Sequence, residues 1–273
     1  MTTTIEAFAD YRVVGDLGGG GHAHYYQALT PQRLRSPAGS APLVHAEHVV
    51  LKVYSTPCGA EAFERAVHEL RAYAAAGSRY LARVHDAVLL SQFLYAMEYF
   101  PLGSLAGPSR PDRRHAVQAL ADAARGAHDL HEHGIVHGDI TPARILLTDN
   151  GGRLSGVGLT RVLSSSTAVL GTGPAGQLDY VDPSTLVGQR HSRATDIWAL
   201  GACLNRVLSG ESLFGDLQQL SALQAIRTIQ STTPVISARL SAAERDVVGE
   251  ALAPVDDRVP TAAELADRIE GLL

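Results

Sequence analysis

The sequence has few of the features that mark disulfide-stabilised, membrane-spanning or nucleic-acid-binding proteins. It has two cysteines, Cys58 and Cys203, far apart in the chain, which indicates reduced thiols rather than a disulfide framework. No apolar run approaches the ~18 residues of a membrane-spanning helix, and the N-terminus MTTTIEAFADYRVVG lacks the apolar core of a signal peptide. The net charge of −5 argues against binding dominated by nucleic-acid phosphates or by an anionic membrane surface. We therefore expect a cytoplasmic protein with no nucleic-acid partner and no membrane insertion.

The composition is that of a globular domain, with 273 residues of which 45% are hydrophobic and 19% are charged. The first hundred residues predict one helix, over 60–76, and a polar loop over 30–42. They also predict five strands, over 11–16, 25–29, 48–54, 84–90 and 93–99. This part of the chain is therefore expected to form a sheet with one helix against it.

The rest of the chain predicts helices. Residues 112–133 and 192–208 carry apolar positions at helical spacing. Ser241 and Thr261 are each followed three residues later by a glutamate, Glu244 and Glu264, which is the capping-box pattern of a helix start. A strand-rich part followed by a helical part predicts an α+β architecture.

A series of motifs runs through the chain in a fixed order: LGGGGHAHYYQA, VVLK, AMEYFPLGSL, HGIVHGDITPARILL, DPSTL and DIWALG. In this order and spacing the chain resembles the bacterial eukaryotic-like (Hanks-type) Ser/Thr protein kinase family from about Tyr11 to Leu272. The resemblance implies one two-lobed kinase-like domain over 1–273. It implies an N-lobe to about residue 98, with a five-stranded antiparallel sheet and helix C, a hinge over about 98–103 and a mainly helical C-lobe from about 104.

The resemblance also implies a nucleotide pocket. Lys52 falls on the lysine that binds phosphate, Glu69 on the helix-C glutamate that pairs with it, and Met97 on the gatekeeper. Tyr25 and Val50 fall where smaller residues sandwich the purine, so Tyr25 either crowds the pocket or stacks on adenine. The full set of positions is Gly18, Gly20, Tyr25, Val50, Lys52, Met97, Glu98, Phe100 and Leu146.

The catalytic positions are degenerate. Asp139 survives at the catalytic base and His137 beside it, but the two Mg²⁺ ligands fall on Gly156 and Arg144, which offer no side-chain oxygen. The other lost positions, in chain order, are Gly138, Thr141, Gln177 and Ser184, where the family has arginine, lysine, threonine and glutamate. We therefore expect no metal site and poor Mg²⁺ binding. A cluster of four histidines between His128 and His137 is read as structural.

Two of these substitutions allow a sharper expectation. Arg144 either binds phosphate in place of a metal or pairs with Asp139, and we favour the pair because the carboxylate would otherwise be partly buried and unpaired. Ser184 replaces the glutamate that pairs with a late arginine of the family, so Arg258 is expected to lack that partner.

The implied function is that of a pseudokinase, which acts as a scaffold or allosteric regulator of another protein, such as an active kinase or signalling protein. Candidate surfaces are the helix-C face, residues 171–182 and the loop over 30–42. Two alternatives stay open: a nucleotide sensor that binds ATP without Mg²⁺, and an unconventional kinase or nucleotide transferase that uses Lys52, Glu69 and Asp139. The sequence leaves open whether residues 164–167 (SSST) are phosphorylated.

Overall fold

The structure, a computed structural model, describes residues 7–20, 23–35, 46–156 and 175–273. The SSST segment at 164–167 lies outside these ranges. The described chain divides into two compact units. The first contains the described residues up to Ala74 together with Arg83–Tyr99, and the second contains Ala75–Ala82 and the described residues from Phe100 onward. Ala75–Ala82, which the predicted boundary places in the N-lobe, therefore belong with the second unit.

The first unit is built on an antiparallel sheet. Its strands are β1 (Ala7–Phe8), β2 (Tyr11–Gly20), β3 (Ala23–Leu29), β4 (His48–Pro57), β5 (Val84–Leu89) and β6 (Gln92–Glu98), in the order β1-β2-β3-β4-β6-β5. The five predicted strands are confirmed. Strand β1 was not predicted, because two residues are too short to show an alternating pattern.

One face of this sheet carries an apolar core. The core residues are Tyr11, Ala28, Leu34, Val49, Leu51, Val53, Leu94 and Ala96. The predicted polar loop over 30–42 begins differently from expectation, since it opens with a short helix, α1 (Gln32–Arg35), whose Leu34 belongs to this core. Arg33 of α1 forms ion pairs with Asp10 and Asp86, so this part of the loop is anchored to the sheet.

The opposite face of the sheet is covered by helix α2 (Ala60–Ala75). The Phe63 ring of α2 packs edge-on against Phe93 of β6, with 5.9 Å between ring centroids. Ala66, Leu70 and Tyr73 are the buried residues of the helix. Leu70 and Tyr73 belong to the apolar set predicted from helical spacing, whereas Phe63 and Val67 of that set are half-buried.

The second unit is mainly helical. Its helices are α3 (Arg113–Glu132), α4 (Pro183–Leu186), α5 (Arg193–Ser209), α6 (Ala222–Ser231), α7 (Ala242–Leu252) and α8 (Ala262–Glu270), with the hairpin β7 (Ile145–Thr148) and β8 (Gly151–Leu154). Short 3₁₀ helices span Pro142–Arg144 and Ala175–Tyr180. Across the described ranges, none of the helices combines the length and apolarity that spanning a bilayer requires.

Side-chain caps fix where the helices of the second unit begin. Ser192, Ser221 and Ser241 each form a capping box with the residue three positions later. Thr261 accepts from the backbone N–H of Glu264. The two starts predicted from Ser241 and Thr261 are confirmed.

Helix α5 is the central helix of this core. Its Trp198 ring stacks on Phe214 at 6.2 Å. A Cβ atom on Gly201 would lie 2.7 Å from the Cβ of Ala251, so the glycine allows α5 and α7 to approach closely. The helix thereby provides a rigid support for the segment that carries Asp139.

Candidate functional site

The segment before Asp139 is held by one buried carboxylate, that of Asp196 on α5. Asp196 accepts hydrogen bonds from the backbone N–H groups of His137 and Gly138, each at 2.8 Å. The Oδ2 atom, which accepts from the His137 N–H, also lies 2.8 Å from Nε2 of the His131 ring. Asp196 is 1% exposed, so these bonds are made away from water and fix the backbone at the candidate catalytic segment.

His137 orients the residue that follows this anchor. Its Nδ1 accepts from the backbone N–H of Asp139 at 3.2 Å, and its Nε2 lies 3.3 Å from the carbonyl oxygen of Ser155. This arrangement requires the proton on Nε2, which is the neutral tautomer. Burial lowers the pKa of His137, which also favours the neutral ring. His137 thus links the Asp139 segment to the segment that contains Gly156.

Asp139 and Arg144 form an ion pair. Oδ2 of Asp139 lies 2.7 Å from Nη2 and 3.1 Å from Nε of Arg144, so the guanidinium contacts the carboxylate with two nitrogens. The Arg144 side chain is 18% exposed and that of Asp139 is 33% exposed. The predicted pairing of these two residues is therefore confirmed.

The backbone of Arg144 is fixed as well. Its carbonyl oxygen accepts from the N–H of Ser155 at 2.8 Å and from the Ser155 hydroxyl at 3.0 Å. Gly156 follows with φ of 75°, in the left-handed region that favours glycine. Gly138 has φ of 66°, so glycine also fits the backbone there. Glycine at positions 138 and 156 is therefore compatible with the backbone conformation there.

These residues do not fit a bound Mg²⁺ ion. Magnesium needs several hard oxygen ligands, whereas the Asp139 carboxylate already contacts a cation and Gly156 has no side-chain oxygen. Over residues 7–20, 23–35, 46–156 and 175–273, no group of three His, Cys, Asp or Glu side chains could hold a metal ion. Arg144 and Gly156, on which the resemblance places the family's metal ligands, thus offer no side-chain oxygen to Mg²⁺.

Arg258 has an ion-pair partner other than the residue at the family's glutamate position, Ser184. Its Nη1 lies 2.7 Å from Oδ2 of Asp182, and both side chains are 6% exposed. Oδ1 of Asp182 also accepts from the backbone N–H of Ser184, so the same carboxylate caps α4. An aspartate two residues earlier thus supplies the charge that Ser184 lacks. The Asp-Pro pair at the helix start could have indicated that Asp182 caps α4, but not that it pairs with Arg258.

The two remaining degenerate positions, Thr141 and Gln177, belong to the two 3₁₀-helical segments of the second unit. Thr141 precedes the 3₁₀ helix Pro142–Arg144 and its carbonyl oxygen accepts from the Arg144 N–H. Gln177 is exposed on the 3₁₀ helix Ala175–Tyr180. The structure assigns neither side chain a catalytic contact within the described residues.

In the first unit, Lys52 is surrounded by tyrosine rings. Tyr25, Lys52 and Tyr95 are direct neighbours across β3, β4 and β6, so their side chains share one face of the sheet. Nζ of Lys52 lies 4.9 Å from the ring centre of Tyr54 and 5.7 Å from those of Tyr25 and Tyr95. The lysine is 3% exposed, and a desolvated ammonium gains most from such ring faces. We call these three tyrosines the tyrosine cage.

Glu69 lies on α2, where it is partly exposed. The ion pairs formed by the described residues do not include the predicted one between Lys52 and Glu69; the contacts described for Lys52 are with the tyrosine cage. The sequence reasoning missed Tyr54 and Tyr95. For Tyr54 the available signal was its position two residues after Lys52 on a predicted strand, which places both side chains on the same face of the sheet.

The other pocket positions of the first unit follow the sheet. Val50 and Met97 are cross-strand partners and both are buried. Gly18 has φ of 84° and donates its N–H to Asp16, whose carboxylate also contacts His24 at 2.7 Å. These two bonds lower the pKa of Asp16, the Gly18 N–H most strongly. Gly20 pairs with Ala23 at the end of the hairpin arm.

The predicted hinge residues are placed at the end of β6 and just beyond it. Glu98 donates its N–H to the carbonyl oxygen of Arg83 at 2.9 Å, within the first unit. In the second unit, the Phe100 ring lies 5.9 Å from the Arg153 guanidinium, and Leu146 lies on β7 opposite Arg153. Glu98 is therefore part of the sheet, Phe100 lies beside Arg153, and Leu146, the predicted floor of the pocket, lies on β7.

Comparisons with known proteins identify the family. The protein kinase domain model matches residues 43–268. The chain is 29% identical over 261 residues to the serine/threonine-protein kinase PknJ of Mycobacterium tuberculosis, and 34% identical over 173 residues to PknB of Mycolicibacterium smegmatis. These matches cover 90% and 58% of the chain, but 42% and 26% of the relatives, so the chain spans less than half the length of either.

A solved structure shows the same fold. The kinase domain of PknI from Mycobacterium tuberculosis, solved as a cysteine-to-alanine mutant, matches with a TM-score of 0.67 and 20% identity. The match covers 99% of this chain and 98% of the other. The predicted α+β kinase-like fold is thereby confirmed, and the chain belongs to the protein kinase family.

Proposed function

We propose that this protein is a pseudokinase, which keeps the kinase fold, has lost metal-dependent phosphoryl transfer and acts by binding another protein. The observation that carries the proposal is the ion pair between Arg144 and Asp139. A general base needs an oxygen that can accept the substrate proton. In this protein a guanidinium contacts that oxygen with two nitrogens.

The ion pair also opposes metal binding. Phosphoryl transfer in this family depends on cations that neutralise the transferring group. Arg144 brings a fixed positive charge to the place where two metal ligands would have to converge, and a dication would meet repulsion there. Gly156 adds no ligand to offset that repulsion.

The tyrosine cage supports the proposal independently. A phosphate-binding lysine must present its ammonium to the ligand. Nζ of Lys52 instead lies over three ring faces in a nearly inaccessible position. Binding phosphate would require it to leave that environment, which favours weak ATP binding.

The proposed protein-binding role rests on the bonds that keep the second unit folded. Asp196 still anchors the segment around His137, and Asp182 still pairs with Arg258. These bonds stabilise the second unit without contributing to chemistry, which is consistent with selection for a folded surface. We propose another protein as the partner, such as an active kinase or signalling protein, and the cytoplasm as the location. The free thiols of Cys58 and Cys203 support a reducing compartment.

The proposal predicts that Mg²⁺ does not promote ATP binding. A ligand near 100 times its Kd would raise the melting temperature of a domain of this size by about 5–10 °C. We expect no such rise with ATP and Mg²⁺, measured by thermal shift. Arg144→Asn restores the family's residue and frees Asp139, so a larger response in this variant is expected.

Each result of this titration has a defined meaning. A rise with wild-type protein that requires Mg²⁺ would contradict the proposal. A rise that survives EDTA would favour the alternative of a metal-independent nucleotide sensor, and dependence on Lys52, tested with Lys52→Met, would place ATP at the predicted pocket. An active bacterial Ser/Thr kinase domain serves as the positive control.

A further inference from the structure

A cavity of about 730 Å³ opens in the second unit, away in sequence from the residues around Asp139. It is lined by the 3₁₀ helix Ala175–Tyr180, by the end of α5 and by the loop that follows it. The charged residues of the lining are Asp179, Arg206, Glu211 and Asp216, and its apolar residues include Leu213, Phe214 and Val235. Its volume is within the range of ligand-binding pockets in proteins.

A buried carboxylate, that of Asp179, lines the cavity. The residue is 6% exposed, and within the described residues its hydrogen-bond donor is the Ser212 hydroxyl, at 2.5 Å from Oδ1. Burial raises its pKa, while Ser212 and the charge of Arg206 lower it. One neutral donor and one cation acting through space leave a carboxylate that is only partly compensated, which is unfavourable inside a protein.

The rest of the lining combines negative charge with apolar surface. Asp179, Glu211 and Asp216 supply three carboxylates against the one guanidinium of Arg206. Glu211 is already bonded to Arg239 and Ser237, whereas Asp216 is exposed and bonded to a backbone N–H. Leu213 and Phe214 form an apolar wall, and Val235 is 65% exposed.

We propose that this cavity receives a lysine or arginine side chain of a partner protein, with an apolar residue of the same segment against Val235. The cation would contact Asp179 inside the cavity and Asp216 on its exposed side. Charge complementarity selects this occupant, because the lining carries more carboxylates than cations and, among the described residues, no ion pair includes the buried carboxylate of Asp179. The inference deepens the proposed protein-binding function and rests on it.

The test measures binding of a basic peptide to the whole chain by fluorescence anisotropy. The probe is a short fluorescein-labelled peptide of alternating arginine and leucine, and its counterpart has glutamate in place of arginine. We expect the basic peptide alone to bind. Asp179→Asn keeps the acceptor for Ser212 but removes the charge, and it should weaken binding roughly tenfold or more.

The matched control is Asp256→Asn, which removes the same charge from an exposed position outside the cavity and should leave binding unchanged. Melting temperatures of both variants check that the fold is intact. Equal binding by wild type and Asp179→Asn, or equal binding of the acidic peptide, would overturn the assignment. Agmatine binding as tightly as the peptide would overturn the assignment to a protein partner.

The assay contains no nucleotide, so it separates the two proposals. If the basic peptide does not bind, the assignment of the cavity is wrong, but the pseudokinase proposal still stands. If the protein transfers phosphate, the pseudokinase proposal is wrong, but the result of the peptide assay is unaffected.

Discussion

Replacing Asp196 by alanine is expected to lower the free energy of unfolding by about 3–5 kcal/mol, because it leaves a buried backbone N–H, a half-buried backbone N–H and a buried histidine without their acceptor. The carboxylate is central to three bonds that hold the segment before Asp139. Urea denaturation followed by circular dichroism measures the change. Asp196→Asn keeps one accepting oxygen and should lose less.

The exposed Asp256 provides the control for this prediction. Asp256→Ala should change the unfolding free energy by less than about 0.5 kcal/mol, since surface substitutions rarely do more. A loss for Asp196→Ala no larger than that of Asp256→Ala would show that Asp196 is not the anchor described above.

The second large effect is expected at the buried ion pair between Asp182 and Arg258. Removing one partner leaves an uncompensated buried charge, so Asp182→Ala should cost about 3–5 kcal/mol. Arg258→Ala should cost at least as much, because Arg258 also donates to the carbonyl oxygens of Ala194 and Ala253. The double variant should lose less than the sum of the two, by about 0.5–3 kcal/mol.

A rescue experiment tests whether Asp182 substitutes for the family's glutamate. Introducing Ser184→Glu into the Asp182→Ala variant returns a carboxylate to the family's position and should recover part of the lost stability. Ser184→Asn, which adds polar bulk without charge, is the control. Equal stability of the two double variants would mean that the negative charge near Arg258 is not what matters.

Much of the fold was predictable because it follows from local patterns. Five strands, the helix over 60–76 and the helix starts at Ser241 and Thr261 were all readable from periodicity and capping residues. Helix α1 was not, because a single turn within a Pro- and Arg-rich stretch has no periodic signal, and Leu34 is buried only through tertiary packing.

The candidate site was predictable where two interacting residues are close in sequence. Asp139 and Arg144 lie five positions apart, so their pairing could be argued from charge and burial. The partner of Arg258 could not, because Asp182 is 76 positions away and only the fold brings the two together. The tyrosine cage likewise depends on the register of three strands, which the sequence alone does not specify.

The most direct test of the central claim is phosphoryl transfer itself. The wild-type protein and Asp139→Asn are incubated with γ-labelled ATP and either Mg²⁺ or Mn²⁺, and label transferred to the protein itself and to a general acceptor protein is measured. Because Arg144 contacts the Asp139 carboxylate and Gly156 supplies no metal ligand, the two proteins should give the same background. Metal-dependent transfer by the wild type that disappears in Asp139→Asn would contradict the account and show that this protein is an active kinase.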